Sequence, residues 1–226
     1  MLSELETSTA ITNNGEARRR GILFVVSSPS GGGKGTLIQR ALRLVPNVAY
    51  SVSYTTRNSR PGEVNGREYF FIDKDEFEKM IARNQFLEWA LVHNKLYGTA
   101  SDQVSREIAA GRDIVLEVDV QGAASVRRLI PDSVSIFILP PSFEVLKQRL
   151  TARGTDSPEE LELRLRNAAH ELKDYTAFDY LIINDDAERA AAQLSSIIQA
   201  ERARLVRQQS FVQSVVKAFV KTDEGK

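Results

Sequence analysis

The apolar run Ile22-Leu23-Phe24-Val25-Val26 leads almost directly into Ser28-Pro29-Ser30-Gly31-Gly32-Gly33-Lys34-Gly35-Thr36, and this junction restricts the possible folds more than any other stretch. A short run rich in Val, Ile and Phe, bounded by turn residues, reads as a buried strand. From Lys34 onward the apolar residues recur three to four apart, which is helical spacing. Glycines between a strand and a helix let successive backbone N–H groups converge on one anion, and the helix N-terminus adds positive potential. A plain turn would gain little from adjacent glycines, because each loses much conformational freedom on folding. Lys34 would neutralise β- and γ-phosphate oxygens, and Thr36 is the nearest hydroxyl able to face a Mg²⁺ shell. The phosphate-loop pattern G-x-x-x-x-G-K-[ST] is met with two departures: Ser28 in place of glycine and Gly35 in place of a hydroxyl.

Composition leaves that local reading without a global competitor. Lys+Arg and Asp+Glu both number 30, so no overall field recruits nucleic acid or an anionic membrane, and any anion site must be local. The absence of cysteine excludes disulfides, thiolate metal sites and cysteine nucleophiles, and fits a cytoplasmic location. With only His93 and His170, a histidine-rich zinc site is not expected. No apolar run approaches the roughly 18 residues needed to span a bilayer, and the first twenty residues lack a signal-peptide core. Arg18-Arg19-Arg20 reads as a solvated charge run before the first strand.

Apolar strands alternating with amphipathic helices predict an α/β fold with a mostly parallel sheet. Strands are expected at 21–27, 48–53, 113–119, 134–139 and 179–183, and helices at 34–45, 121–130, 142–152 and 159–174. Asp186 is placed to cap a long last helix running past Arg207, whose apolar stripe continues through Phe211, Val212, Val215, Val216, Phe219 and Val220. That stripe is expected to lie against the body, with a partner surface as the alternative. Residues 54–101 break the rhythm: turn residues separate short aromatic strands near 69–72, 86–91 and 96–99 and one helix near 74–83. An insertion of this size is a lobe rather than a loop. A second insertion, Arg153-Gly154-Thr155-Asp156-Ser157-Pro158, lies between two helices, with Pro158 suited to a first helical turn. Arg57 and Arg60, beside hydroxyls and Tyr69, form a planar-donor set suited to phosphate; a solvated polar loop is the plainer alternative.

Further motifs follow in order: Ser53-Tyr54-Thr55-Thr56-Arg57 with Arg60-Pro61-Gly62-Glu63-Val64, Phe86-Leu87-Glu88-Trp89-Ala90, Tyr97-Gly98-Thr99, Asp119-Val120-Gln121-Gly122, Ile138-Leu139-Pro140-Pro141-Ser142 and Asn184-Asp185-Asp186. Together with the glycine loop they resemble the bacterial guanylate kinases over about residues 21–207. The resemblance implies a P-loop NTPase three-layer core (21–53 and 102–207), a mixed β/α GMP-binding lobe (54–101) and a short helical lid near 153–160. Residues 1–20 would be a disordered polar extension, and 208–226 a C-terminal helical extension and tail.

The implied reaction is ATP plus GMP giving ADP and GDP, with Mg²⁺ accompanying ATP. By the resemblance, Ser28, Pro29, Ser30, Gly31, Gly32, Gly33, Lys34, Gly35 and Thr36 would hold ATP, with Asn184 near the adenine. Arg57, Arg60, Tyr69 and Tyr97 would hold the GMP phosphate, Ser53, Glu88 and Thr99 would read guanine, and Glu63 and Asp119 would complete the GMP site. Lys34, Arg57, Arg149, Arg153 and Arg164 would stabilise the transferring phosphoryl group. The Glu88 assignment has a chemical basis: guanine presents adjacent N1–H and amino donors, and an ionised carboxylate is an acceptor-only fork. Glu117 stands where the family more often has aspartate, either as a water-mediated metal or ligand contact or as an inward structural residue. Lys34-Gly35-Thr36 is instead the adenylate kinase pattern, which makes an adenylate kinase one rival reading. A non-catalytic module that docks phosphopeptides is the other. The implied partners are small molecules, with self-association left open.

Overall fold

The structure, a computed structural model, describes residues 19–92, 94–152 and 157–223. Arg153, most of the second insertion and residues 1–18 therefore lie outside the described residues. Leu23–Ser27 (β1) is buried throughout because its alternating side chains enter two different cores. Phe24 and Val26 pack with Leu37, Ile38 and Ala41 of α1 (Lys34–Leu44) and with Ala190, Ala191, Leu194 and Ile198 of α7 (Ala187–Ala203). Leu23 and Val25 face the opposite way, toward Val104 and Ile108 of α3 (Ser101–Ala109) and Ala123 and Val126 of α4 (Val120–Leu129).

Between these helical layers lies a five-stranded parallel sheet. Its order is Val48–Tyr50 (β2), Asp113–Glu117 (β7), β1, Val134–Leu139 (β8) and Tyr180–Ile183 (β9). The phosphate loop thus leaves the central strand at its C-terminal end, where open α/β sheets place their ligands. The second sheet is mixed, ordered Phe70–Phe71 (β4), Tyr54–Thr55 (β3), Lys95–Ala100 (β6) and Phe86–Val92 (β5), with α2 (Lys74–Ala82) beside it. Phe77 and Phe86 stack under this sheet at 4.5 Å between ring centroids. Helices α5 (Phe143–Thr151) and α6 (Pro158–Glu171) close a small third core through Leu146, Leu150, Leu161, Leu165 and Ala168. Pro158 does open α6, behind a capping box of Ser157 and Glu160.

The structure departs from several sequence expectations. α3 was not anticipated: only Val104 and Ile108 are buried on it, too short a stripe to read as periodic. The strand expected at 48–53 ends at Tyr50, where the chain turns into the second sheet. The last helix is two helices, α7 and α8 (Leu205–Asp223), separated by Arg204, whose ψ of 134° is extended. The apolar stripe of α8 does not lie against the body, since Leu205, Val206, Phe211, Val216 and Phe219 are all more than half exposed. Arg19 is no solvated charge either: its guanidinium donates to both oxygens of fully buried Asp113 at 2.7 and 2.8 Å. No helix among the described residues is long and apolar enough to cross a membrane.

Candidate active site

The glycine loop is built by close approach as much as by freedom. Gly31 and Gly33 both have φ of 86°, a left-handed conformation that favours glycine. A Cβ on Gly33 would stand 2.5 Å from Asn184 Nδ2, and one on Gly31 would stand 2.9 Å from Leu146 and Leu150. Asn184 lies beneath the loop, donating from Nδ2 to the Gly32 carbonyl at 2.8 Å. Arg149 joins it there, donating to the carbonyls of Asn184 at 2.8 Å and Gly32 at 3.4 Å. Both residues brace the loop from behind, and neither lines the cleft in front of it.

On the cleft side Lys34 donates from Nζ to the Val118 carbonyl at 2.9 Å, and the Ser30 N–H donates to Glu171 Oε2 at 3.1 Å. Burial pushes the Glu171 carboxyl up, opposed by the Ser30 N–H and the nearby Lys34 charge. The α1 backbone passes so close to Glu117 that a Cβ on Gly35 would stand 3.3 Å from its Oε2. That same oxygen accepts from Tyr50 Oη at 2.8 Å.

Across the cleft from the glycine loop stand residues of the second sheet and its adjoining turns. Glu88 on β5 is buried, and its Oε1 accepts from the Thr99 hydroxyl at 2.7 Å, with Ser53 Oγ 3.5 Å beyond Thr99. Burial pushes the Glu88 carboxyl up to about 7; the Thr99 hydrogen bond partly offsets this, and the negative charge of Asp119 adds to it. Asp119 also caps α4, accepting from the Gly122 N–H at 2.8 Å. Arg57 forms a two-point pair with Glu63 at 2.9 and 2.8 Å and lies over the Tyr69 ring at 5.4 Å. Glu63 also accepts from the Arg60 N–H, so it fixes both ends of this arginine turn. Tyr69 and Tyr97 meet edge to face at 5.8 Å.

A single cleft of about 380 Å³ brings the two sides together. The whole glycine loop lines it, with Glu117, Asp119, Arg164 and Glu171 from the core and Ser53, Arg60, Tyr69, Glu88 and Tyr97 from the second sheet. Arg57, paired with Glu63, lies over the ring of the lining residue Tyr69, and Thr99 donates to the lining residue Glu88. The guanylate kinase family profile matches residues 20–201 of this chain. The chain belongs to the guanylate kinase family.

Its relatives agree in sequence and in structure. It is 47% identical over 206 residues to the guanylate kinase of Symbiobacterium thermophilum, covering 91% of this chain and 98% of that one. It is 51% identical over 180 residues to the guanylate kinase of Dechloromonas aromatica, covering 80% and 89%. The crystal structure of guanylate kinase from Anaplasma phagocytophilum superposes with a TM-score of 0.72 at 34% identity, covering 84% of this chain and 90% of that one. Among the described residues around the cleft, Tyr50 and Glu171 were not anticipated from the sequence, and Gly122 was read there only as part of a motif. Glu171 left one legible trace, its position seven residues after Arg164 and so on the same helix face.

Proposed function

We propose that this chain, as an ATP:GMP phosphotransferase, seats both nucleotides in the one cleft and uses the residues assembled around it. The observation that carries this reading is Glu88, a buried carboxylate facing the same cavity as the glycine loop. In its ionised form it accepts from the adjacent N1–H and amino donors of guanine, with Thr99 and Ser53 fixing its orientation. Adenine presents an acceptor at N1 and would leave Glu88 unpaired, and sites built on such a bond reject the wrong partner by up to ~10⁴–10⁵.

No general base is required. The second pKa of a phosphate monoester lies near 6, so the attacking oxygen of GMP is already ionised at neutral pH. Catalysis is then positioning and charge neutralisation. Arg57, Arg60, Tyr69 and Tyr97 hold the acceptor phosphate, and the loop N–H groups with Lys34 hold the donor. Lys34 leaves the Val118 carbonyl to do so. Arg164, with Arg153 of the expected lid, approaches the transferring group, while Arg149 and Asn184 act through the loop they brace.

Mg²⁺ fits the donor set. Thr36, Glu117 and Asp119 are hard oxygen donors on the cleft, which suits an ion that keeps most of its ligands from phosphates and water. Among the described residues no group of three or more His, Cys, Asp or Glu side chains is arranged to hold a metal by itself. Thr36, Glu117 and Asp119 would hold the ion or its waters, and the ion would supply positive charge to offset that developing on the phosphoryl group. We place the reaction in the cytoplasm, with ATP and GMP as small-molecule partners. A coupled assay of ADP release with AMP, GMP, CMP and UMP at equal concentration tests the reading. GMP is expected to dominate, and a preference for AMP would overturn it.

A further inference from the structure

Gly35, where the phosphate-loop pattern has a hydroxyl, and Glu117, where the family resemblance leads one to expect aspartate, face each other. A Cβ on Gly35 would stand 3.3 Å from one Glu117 carboxylate oxygen and 3.5 Å from the other. The direction in which a side chain at position 35 would grow is therefore already filled by a carboxylate. Glu117 is held there at two levels. Its backbone is in register with Val26 of the central strand, and its Oε2 accepts from Tyr50 Oη at 2.8 Å. Burial, reinforced by the Glu117 charge, pushes the Tyr50 hydroxyl up, so it remains a donor at any physiological pH. Gly35, Thr36 and Glu117 line the same cleft as the loop N–H groups.

In the phosphate-loop pattern the hydroxyl after the lysine faces the metal ion that accompanies the nucleotide. Position 35 has no hydroxyl, and an oxygen of Glu117 occupies the space toward which one would point. An aspartate at 117 would retract that oxygen by about 1.5 Å, the length of one carbon–carbon bond. We propose that Gly35 and Glu117 form a matched exchange, in which the Tyr50-anchored Glu117 carboxylate positions the hydrated divalent cation of the donor nucleotide in place of the missing hydroxyl. Glu117 is thus a positioning residue, and Gly35 is glycine to make room for it. The inference rests on the ATP-side reading of the cleft given above.

The test measures Mn²⁺ bound to the protein–ADP complex from the free-ion electron paramagnetic resonance signal, beside ADP affinity without metal. Glu117→Gln should weaken Mn²⁺ about tenfold, while metal-free ADP affinity stays within twofold or tightens. Gly35→Ser should also weaken Mn²⁺, and Gly35→Ser combined with Glu117→Asp should recover affinity to within about threefold of wild type. If a Gly35→Ser chain does not fold, Tyr50→Phe carries the test, since it removes only the anchoring hydroxyl and should weaken Mn²⁺ about threefold. Wild-type Mn²⁺ affinity in Glu117→Gln or in Tyr50→Phe would overturn the proposal. So would equal losses of Mn²⁺ and metal-free ADP binding, or a double variant no better than Gly35→Ser alone. A wild-type chain that bound no ADP would remove the ATP-side reading itself, and this inference with it.

Discussion

Glu88 is 7% exposed, and burial first, then Asp119, raises its carboxyl to about 7 against the lowering effect of Thr99. The folded chain therefore binds this proton more tightly than the unfolded chain does. The Glu88 contribution to stability is accordingly lost as pH rises from about 4.5 toward 7, and above that the carboxylate is a standing cost in the nucleotide-free protein. On the proposed reading guanine would offset that cost by donating to the ionised form, so GMP affinity should rise roughly tenfold between pH 6 and 8. Glu88→Gln should keep only the titration of the GMP phosphate itself, and should lose roughly 10²-fold or more in kcat/KM for GMP. Titration calorimetry across pH checks the first outcome; a flat wild-type profile would contradict it. Gly122 is the less obvious partner of this carboxylate, because a Cβ there would stand 2.7 Å from Glu88 Oε2 and 3.1 Å from Asp119 Oδ1. Gly122→Ala should weaken GMP about tenfold while leaving ADP binding intact, although alanine favours the helix by ~1 kcal/mol. Unchanged GMP affinity in that variant would exclude the clearance as the reason for glycine. The place of Glu88 on the cleft was legible in the sequence through the motif Phe86-Leu87-Glu88-Trp89-Ala90. The role of Gly122 was not, because its neighbour lies 34 positions away and only folding brings the two together.

Elements were legible where their period was long and obscure where packing overrode it. β1 and α1 flank a glycine loop whose chemistry punctuates both ends. By contrast α3 shows only one buried pair, and the break at Arg204 carries neither proline nor glycine. Around that break, buried Glu201 accepts from the nearby Arg204 and Arg207 and, at 2.6 Å, from Tyr180 Oη, a contact spanning 21 positions with no local sequence signature. A similar knot ties the N-terminal edge of the core. Asp113 is fully buried and joins Arg19 to Arg202, the latter at 2.6 Å, and also accepts from the Ile22 N–H. Asp113→Ala leaves two partly buried guanidinium groups without their partner and should destabilise the chain by about 3–5 kcal/mol in denaturant unfolding. A loss under 1 kcal/mol would show the knot to be incidental. The bond between α6 and the loop makes a different demand, since the Glu171 carboxylate already sits on the Ser30 N–H, a donor that the polyphosphate would approach on the proposed reading. Glu171→Gln should therefore tighten ATP several-fold at low salt, and weaker binding would mean that the carboxylate aids ATP instead.

At the scale of the molecule, one cleft separates a parallel core from a mixed second sheet, and α6 stands at its rim. Two bodies around one site suit a closing motion that excludes water from a reaction able to hydrolyse ATP. The chain has no cysteine, so Val64→Cys and Leu163→Cys, both at exposed positions, give a specific dye pair. Their separation should shorten when GMP and a non-hydrolysable ATP analogue bind together, and an unchanged distance would rule closure out. The division into core and lobe was legible because turn residues and short aromatic strands interrupt an otherwise regular alternation. The outward face of α8 was not, because a helical stripe looks the same whether it is covered or bare. The pairings inside the cleft also govern how the empty protein responds to small ions. Arg57 is matched by Glu63, the Ser30 N–H by Glu171 and Lys34 by a carbonyl. Tethered groups of this kind act at local concentrations on the order of millimolar. Free phosphate or sulfate at similar levels gains little by replacing them, whereas a nucleotide brings a base that no inorganic anion has. Each of these groups already has a partner within the chain, so inorganic phosphate is expected to bind only by displacing those partners, a competition that a phosphate titration would measure.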